Sequence, residues 1–149
     1  MKAFNIFIST LIFFISSLAN ANEKIKFSLD WKFEGPSAIF LTSKERGYYK
    51  SSGLDVTIDS GKGSRDAIPK VASGTYPLGF ADINSVIKFL DQNPKAKVKA
   101  IMMVYDRPPF AIIGRKSLGV VKPKDLEGKI LGAPAPDGAY AQWLSLIHI

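Results

Sequence analysis

Cysteine is missing from the 149-residue sequence, and histidine occurs once, as His148. The lack of cysteine excludes disulfides and thiolate metal sites, and it removes the acceptor for a lipid at a mature N-terminus. That histidine stands next to the last residue, and the sequence shows no Ser/His/Asp set, metal cluster or paired-carboxylate signature. We therefore expect a protein that is not an enzyme and that carries neither a metal ion nor another cofactor.

Long apolar runs are also scarce, and the first residues contain the longest one. Lys2 is followed by the apolar stretch Ile6–Ile15, which only Ser9 and Thr10 interrupt. This stretch is shorter than the roughly 20 residues of a membrane span. The small-x-small pattern Ala19-Asn20-Ala21 favours a signal peptide at residues 1–21, cleaved before Asn22. An exported protein without a lipid fits the periplasm of a Gram-negative cell.

The sequence is basic, with a net charge of +7. Cleavage of residues 1–21 removes only Lys2, so the mature charge is 19 − 13 = +6. The basic residues are dispersed and form no block with interleaved aromatics, so we expect no nucleic-acid partner. A generally solvated surface explains the charge as well as a preference for anionic solutes does.

Predicted strands alternate along the sequence with predicted helices, which indicates an α/β fold with a mainly parallel sheet. Strands are predicted at Lys24–Leu29, Leu54–Asp59, Pro77–Ala81, Val98–Tyr105, Phe110–Gly114 and Lys129–Ala133. Pro77–Ala81 is wholly apolar, which is typical of a strand buried on both faces. Helices are predicted from Ala38 to a stop at Gly47, at Arg65–Ala72 with Ser64 as N-cap, at Ile83–Asp91 and from near Asp137.

In sheets of this kind, ligands bind outside the carboxyl ends of the strands. That rule selects five candidate segments before any family is considered. They are residues 30–35, 60–65, 82–84, 106–109 and 134–139.

The same segments carry a resemblance to the NMT1/THI5-like family of periplasmic binding proteins. They read LDWKFEGPSAIFLTSKERGYYKSSGLDVTI (29–58), GKGSRDAIPKVASGTYPLGFADIN (61–84), VYDRPPFAIIGRK (104–116) and KPKDLEGKILGAPAPDGAYAQW (122–143). The resemblance implies a type II periplasmic binding fold with the solute held between two lobes. Lobe one would be residues 22–106, the hinge crossing 107–115, and the start of lobe two 116–143.

The resemblance also implies a function. Relatives serve importers of nitrate, sulfonates, taurine and pyrimidine precursors. We therefore expect a monomer that binds a small-molecule solute and delivers it to the permease of an ABC importer in the inner membrane.

Two aromatic residues follow strand one. In the family the position of Trp31 lies at the cleft, where an indole could stack on a planar ring or form a wall against an aliphatic ligand; the alternative is a core tryptophan. Phe33 could contact the ligand or pack under the next helix.

Ser64 and Arg65 open a helix after a glycine-bearing turn. Backbone N–H groups and the guanidinium there could hold a carboxylate, sulfonate or phosphate. The alternative is a plain N-cap followed by an exposed arginine. With no third glycine, Gly61-x-Gly63 gives little support for nucleotide binding.

The remaining candidate ligand contacts come from later strand ends. Asp82 could accept a hydrogen bond from a ligand amine or hydroxyl, or cap the next helix, and Asn84 lies beside it. Arg107 could contact the solute or bridge the lobes. The resemblance places the opposite lip of the cleft at Asp137, Gly138 and Ala139.

Two other functions remain open. The related pyrimidine synthases share the fold but need histidine and cysteine for catalysis. An extracytoplasmic sensing module would bind a solute without an importer. A transcription factor would need a DNA-binding helical segment in place of the signal peptide.

The last six residues, Leu144–Ile149, fit the family poorly. They match a translated sequencing-library adapter, so we expect the native sequence to depart from this one after Trp143. The alternative is a natural apolar helix end. Carrying only part of lobe two, the 149-residue chain is expected to bind poorly and to expose lobe-one surface.

Overall fold

The computed structural model describes residues 22–107 and 109–146. The predicted signal peptide and the last three residues of the suspected adapter tail lie outside them. Among these described residues, no helix combines the length and apolarity needed to cross a membrane.

Three parallel strands form the sheet of the described chain: β1 (Glu23–Ser28), β2 (Leu54–Asp59) and β3 (Leu78–Gly79). Their order in the sheet is β2-β1-β3. The register places Phe27 of β1 beside Ile58 of β2 and Leu78 of β3. The prediction of a mainly parallel sheet is confirmed for these strands.

Helices follow each strand. They are α1 (Ala38–Glu45), α2 (Tyr48–Ser51), α3 (Ser64–Ala72), α4 (Ile83–Gln92) and α5 (Gly138–Leu146). Short 3-10 turns occur at Gly35–Ser37, Lys116–Leu118 and Pro123–Leu126. The helices expected after Pro36, before Gly74, after Asp82 and near Asp137 are thus present.

The small core lies beside the central strand. Successive side chains of β1 point to opposite faces of the sheet. On one face, Phe27 contacts Phe40 of α1 with ring centroids 4.9 Å apart. Phe80 continues this row at 5.3 Å from Phe40, and Tyr105 at 6.0 Å from Phe80. The buried hydrophobic residues are Leu29, Ile58, Ala67 and Ile68. The aromatic row anchors α1 on one face of the sheet and ends beside the candidate site.

Three of the predicted strands are wrong within the described residues. The segments 98–105, 110–114 and 129–133 form no strand, although their apolar residues favour one. Ile101, Ile113 and Ile130 are 79%, 96% and 100% exposed, respectively. A strand needs a neighbour for its N–H and C=O groups, and the described chain supplies none to these segments.

The third strand was also predicted incorrectly in its length and burial. It comprises only Leu78, which is half-buried, and Gly79, which is exposed. The sequence had predicted a buried strand over Pro77–Ala81. It forms an edge of the described sheet, so its outer side lacks the second neighbour that would bury it.

Candidate functional site

The three strands are parallel, so the loops that follow them all lie at the same end of the sheet, the carboxyl ends of the strands. Candidate residues from all three loops meet at this strand-end edge. Ser64 at the start of α3 donates a hydrogen bond from Oγ to Asp30 Oδ2 at 3.4 Å. The backbone N–H of Asp82, after β3, donates to the same Oγ at 2.9 Å. One buried hydroxyl therefore ties together the loops that follow β1, β2 and β3.

Ser64 was predicted to be the N-cap of α3, and this is wrong. Gly63 occupies the N-cap position with φ 139°, and Ser64 is the first helical residue. A serine placed one position inside the helix turns its hydroxyl away from its own helix end, toward Asp30 and Asp82. Its role toward a ligand stays a prediction, because the contacts described for the hydroxyl are all within the protein.

Asp82 caps the N-terminus of α4, which is one of the two roles predicted for it. Its Oδ2 accepts from the Ser85 N–H at 2.7 Å, at the N-terminus of α4. Its Oδ1 accepts from Gln142 Nε2 of α5 at 2.9 Å. Asn84, on the first turn of α4, is exposed. The carboxylate of Asp82 therefore has a partner on each oxygen in this conformation.

Residues 134–142 lie against the same loops, although no strand precedes them in the described chain. The Arg65 N–H donates to the Pro136 carbonyl at 3.2 Å, and Arg65 Nη1 donates to the Ala135 carbonyl at 3.2 Å. Asp137 accepts a hydrogen bond from the Ala139 N–H at 2.7 Å and so caps α5. The guanidinium of Arg65 is thus engaged by the protein backbone.

Trp31 is half-buried beside a cavity of about 40 Å³. Phe80, Pro36 and Lys32 are among the residues that line this cavity. The Trp31 carbonyl accepts from the Gly61 N–H at 2.9 Å, which fixes the loop after β1 against the loop after β2. The indole therefore lies at the strand-end edge.

Two predicted site residues lie apart from this cluster. Phe33 is 55% exposed, which argues against packing under α1, and it does not line the cavity beside Trp31. Arg107 is exposed. Nearby Tyr105 donates from its hydroxyl to the Pro36 carbonyl at 3.1 Å. The ligand roles of Phe33 and Arg107 stay predictions.

Within the two described ranges, no group of three or more histidine, cysteine, aspartate or glutamate residues is placed to hold a metal ion.

A family profile described as NMT1/THI5-like matches residues 36–148 of this chain. The chain belongs to the NMT1/THI5-like family. This confirms the resemblance drawn from the sequence.

Among curated relatives, the riboflavin-binding protein RibY of Chloroflexus aurantiacus is 26% identical over 102 residues. The match covers 68% of this chain and 29% of that protein, so the chain spans well under half the length of this relative. No solved structure matches the chain.

Sequence reasoning missed two residues that the structure places in this candidate site. Asp30 lies in a candidate segment, yet it was not singled out, although a carboxyl two residues after the end of a strand is a recognisable feature. Gln142 lies one helical turn beyond Gly138, and no local pattern marks it as a partner of Asp82.

The carboxyl of Asp30 has a raised pKa. Burial raises its pKa above the usual value and the negative charge of Asp137 raises it further, while hydrogen bonds from its own backbone N–H and from Ser64 act in the opposite direction. A raised carboxyl pKa means that the folded state binds a proton more tightly than the unfolded state does. The contribution of Asp30 to stability therefore falls as pH rises from the usual carboxyl pKa through the raised one.

We expect Asp30→Asn to be more stable than the wild type above that pH window, with the gain disappearing below it. Urea unfolding of both proteins, followed over roughly pH 3 to 8, measures the difference. Asp55→Asn, on an exposed position of β2, is the matched control. A gain for Asp30→Asn that is equal at every pH would contradict the burial argument.

Proposed function

We propose that this chain is part of an extracytoplasmic solute-binding protein that delivers a small molecule to an ABC importer. One observation carries the proposal: the loops after all three described strands meet at one edge of the sheet, in a chain of the NMT1/THI5-like family. Ligands of open α/β sheets bind at such an edge. Export by the predicted signal peptide to the periplasm, action as a monomer and contact with an inner-membrane permease belong to the same proposal.

We further propose the two-lobed arrangement of a type II periplasmic binding protein. Lobe one would end near Asp106, residues 107–115 would form the hinge crossing, and lobe two would begin at 116. The position of residues 134–142 against the strand-end loops supports this division, because the second wall of a cleft should face the first.

For the ligand, we propose an aromatic compound that carries hydrogen-bond donors, in preference to a small anion. Arg65 donates to a backbone carbonyl, and three carboxylates, those of Asp30, Asp82 and Asp137, lie at the site. The three carboxylates outnumber the two cations there, Arg65 and Lys32, which disfavours anions such as nitrate or a sulfonate, whereas ring N–H and hydroxyl groups could donate to the carboxylates. Trp31 offers a surface for stacking. Riboflavin, which the relative's name gives as its ligand, has these features.

Binding is a better account of this site than catalysis. The sequence has no cysteine, and its single histidine is His148. Ser64 contacts a carboxylate and a backbone N–H, without the histidine that would activate a serine nucleophile in a Ser/His/Asp set.

The proposal is tested with the protein encoded by the source DNA, sequenced across and beyond the codon for Trp143. Isothermal titration with riboflavin, a pyrimidine, taurine, an alkanesulfonate and nitrate should give binding of riboflavin or the pyrimidine. Trp31→Ala should weaken that binding about tenfold, because it removes the proposed stacking surface. Tyr48→Ala is the control, since Tyr48 is 54% exposed and lies before β2, at the opposite edge of the sheet.

Turnover of any of these compounds would contradict the binding function, and binding of nitrate or a sulfonate alone would contradict the ligand class. Permease and ATPase genes beside the coding sequence would support the importer. A neighbouring receptor gene would instead favour the sensing module.

A further inference from the structure

Asp30 is fixed at the strand-end edge by contacts of the backbone around it. The Gly63 N–H donates to the Asp30 carbonyl, and the Gly61 N–H donates to the Trp31 carbonyl at 2.9 Å. Asp30 is half-buried and lines the cavity at Trp31, together with Phe80. Because its loop is tied to the loop after β2, the carboxyl of Asp30 is held beside this cavity.

A directed chain of hydrogen bonds ends on this carboxyl. The backbone N–H of Asp82 can only donate, and it donates to Ser64 Oγ at 2.9 Å. The hydrogen of the Ser64 hydroxyl is then directed to Asp30 Oδ2, at an O–O distance of 3.4 Å. A negative charge on the acceptor strengthens such a bond, so Ser64 favours the ionised form of Asp30. Ser64 is only 3% exposed, so solvent has little access to replace it as a donor.

Other surroundings of Asp30 oppose its ionisation. Burial and the negative charge of Asp137 both raise its pKa. The charged residues on the loops and helix ends packed against Asp30 include Lys32 and Glu34 after β1, Lys62 and Arg65 after β2, Asp82 after β3, and Asp137 before α5. The guanidinium of Arg65 donates to the Ala135 carbonyl at 3.2 Å. The ligand-free site therefore keeps a proton on Asp30 up to a higher pH than an exposed aspartate would.

A ligand that donates a hydrogen bond to Asp30 would reverse this balance. A ring N–H or a hydroxyl stabilises a carboxylate strongly and a neutral carboxyl much less. Binding of such a donor therefore favours transfer of the proton from Asp30 to the solvent. A ligand that offers only acceptors would instead favour its retention, because a protonated carboxyl can donate.

We propose that binding of a donor ligand at the strand-end site releases the proton of Asp30, with Ser64 as the positioning residue that sets the pH at which this happens. The presence of the ligand rests on the proposed function, whereas the chain of hydrogen bonds from Asp82 through Ser64 to Asp30 exists without a ligand. Affinity for a donor ligand should fall by up to about tenfold for each pH unit below the pKa of Asp30, as one coupled proton requires.

Isothermal titration with riboflavin tests this coupling in the protein encoded by the source DNA. Repeating the titration at one pH, within the titration range of Asp30, in buffers of different ionisation enthalpy gives the number of protons released. The wild type should release a measurable fraction of one proton, and Asp30→Asn should release none. Asp55→Asn, at an exposed position of β2, should match the wild type. Equal proton release by the wild type and Asp30→Asn would overturn the proposal, as would a wild-type affinity that does not vary with pH.

Carbon-13 NMR of the Asp30 carboxyl follows its titration without any ligand. The midpoint should lie above the usual carboxyl value, and Ser64→Ala should raise it further because the carboxylate loses a donor. The pH at which riboflavin affinity falls should move upward with it. Ser51→Ala makes the same chemical change at an exposed position of α2 and should leave the midpoint unaltered.

Failure of the ligand and failure of the coupling are distinguishable. If riboflavin binds neither the wild type nor any variant, the result counts against the proposed ligand, and the Asp30 midpoint decides the rest. A midpoint at the usual carboxyl value would overturn the coupling, since no proton would be held for a ligand to release. A midpoint that Ser64→Ala leaves unchanged would overturn the role of Ser64.

Discussion

Gly61→Ala should lower the free energy of unfolding by about 3 kcal/mol, because the added methyl group has no space. Its Cβ would lie 2.7 Å from both the carbonyl carbon and the carbonyl oxygen of Asp30, and it would also collide with the Leu29 carbonyl. These are backbone atoms, so no side chain can rotate away. The loops after β1 and β2 would have to separate, which would also break the hydrogen bond from Gly61 to the Trp31 carbonyl.

Chemical denaturation measures this change, and Gly35→Ala is the matched control. Gly35 lies in the first 3-10 turn, and an added Cβ there meets no atom within 4 Å. Alanine at an unstrained position reduces the entropy of the unfolded chain, so the control should match the wild type or exceed it by up to about 1 kcal/mol. If the two variants unfold at the same denaturant concentration, the two loops do not approach as described.

Leu29→Ala should cost about 3 kcal/mol, within the 2–5 kcal/mol range for removing a buried leucine. Leu29 is 1% exposed and follows the central strand directly, and its N–H donates to the Asp59 carbonyl at 2.8 Å. The substitution would leave a cavity under the loop that carries Asp30 and Trp31. Small domains are stable by only about 5–15 kcal/mol, so this is a large share of the total.

Chemical denaturation measures the loss of stability in Leu29→Ala, and Leu118→Ala is the matched control. Leu118 is 65% exposed, so truncation there should change stability by less than about 0.5 kcal/mol. Similar losses at both positions would mean that Leu29 is not part of a core distinct from the exposed apolar surface.

Local patterns predicted the elements whose partners lie within the described chain. The β-branched run Leu54–Asp59 was predicted to the residue, because alternation and flanking glycines are encoded locally. Asp82 as the cap of α4 and the start of α5 beside Asp137 follow from similar short-range chemistry. The choice of the strand ends as the candidate site rests on the expected topology alone and stays a prediction.

The rest depends on contacts that no short window contains. The strands expected at 98–105, 110–114 and 129–133 needed neighbours, and apolar sequence alone does not provide them. The bond between Asp82 and Gln142 joins residues 60 positions apart. The side chain of Arg65 reaches the carbonyl of Ala135, 70 positions away, a contact that no short window of sequence reveals, and its role toward an anion stays a prediction.

The order of the strands also determines when the sheet can assemble. β1 is the first strand in the chain and the central one in space, and its partners begin 54 − 23 = 31 residues and 78 − 27 = 51 residues later. Until those segments have emerged from the ribosome, both edges of β1 remain open to other partners. Such distant pairing slows folding, since loop closure must precede any gain from contact. A slowly folding chain stays extended for longer and exposes unpaired edges, which makes chaperone binding in this interval useful.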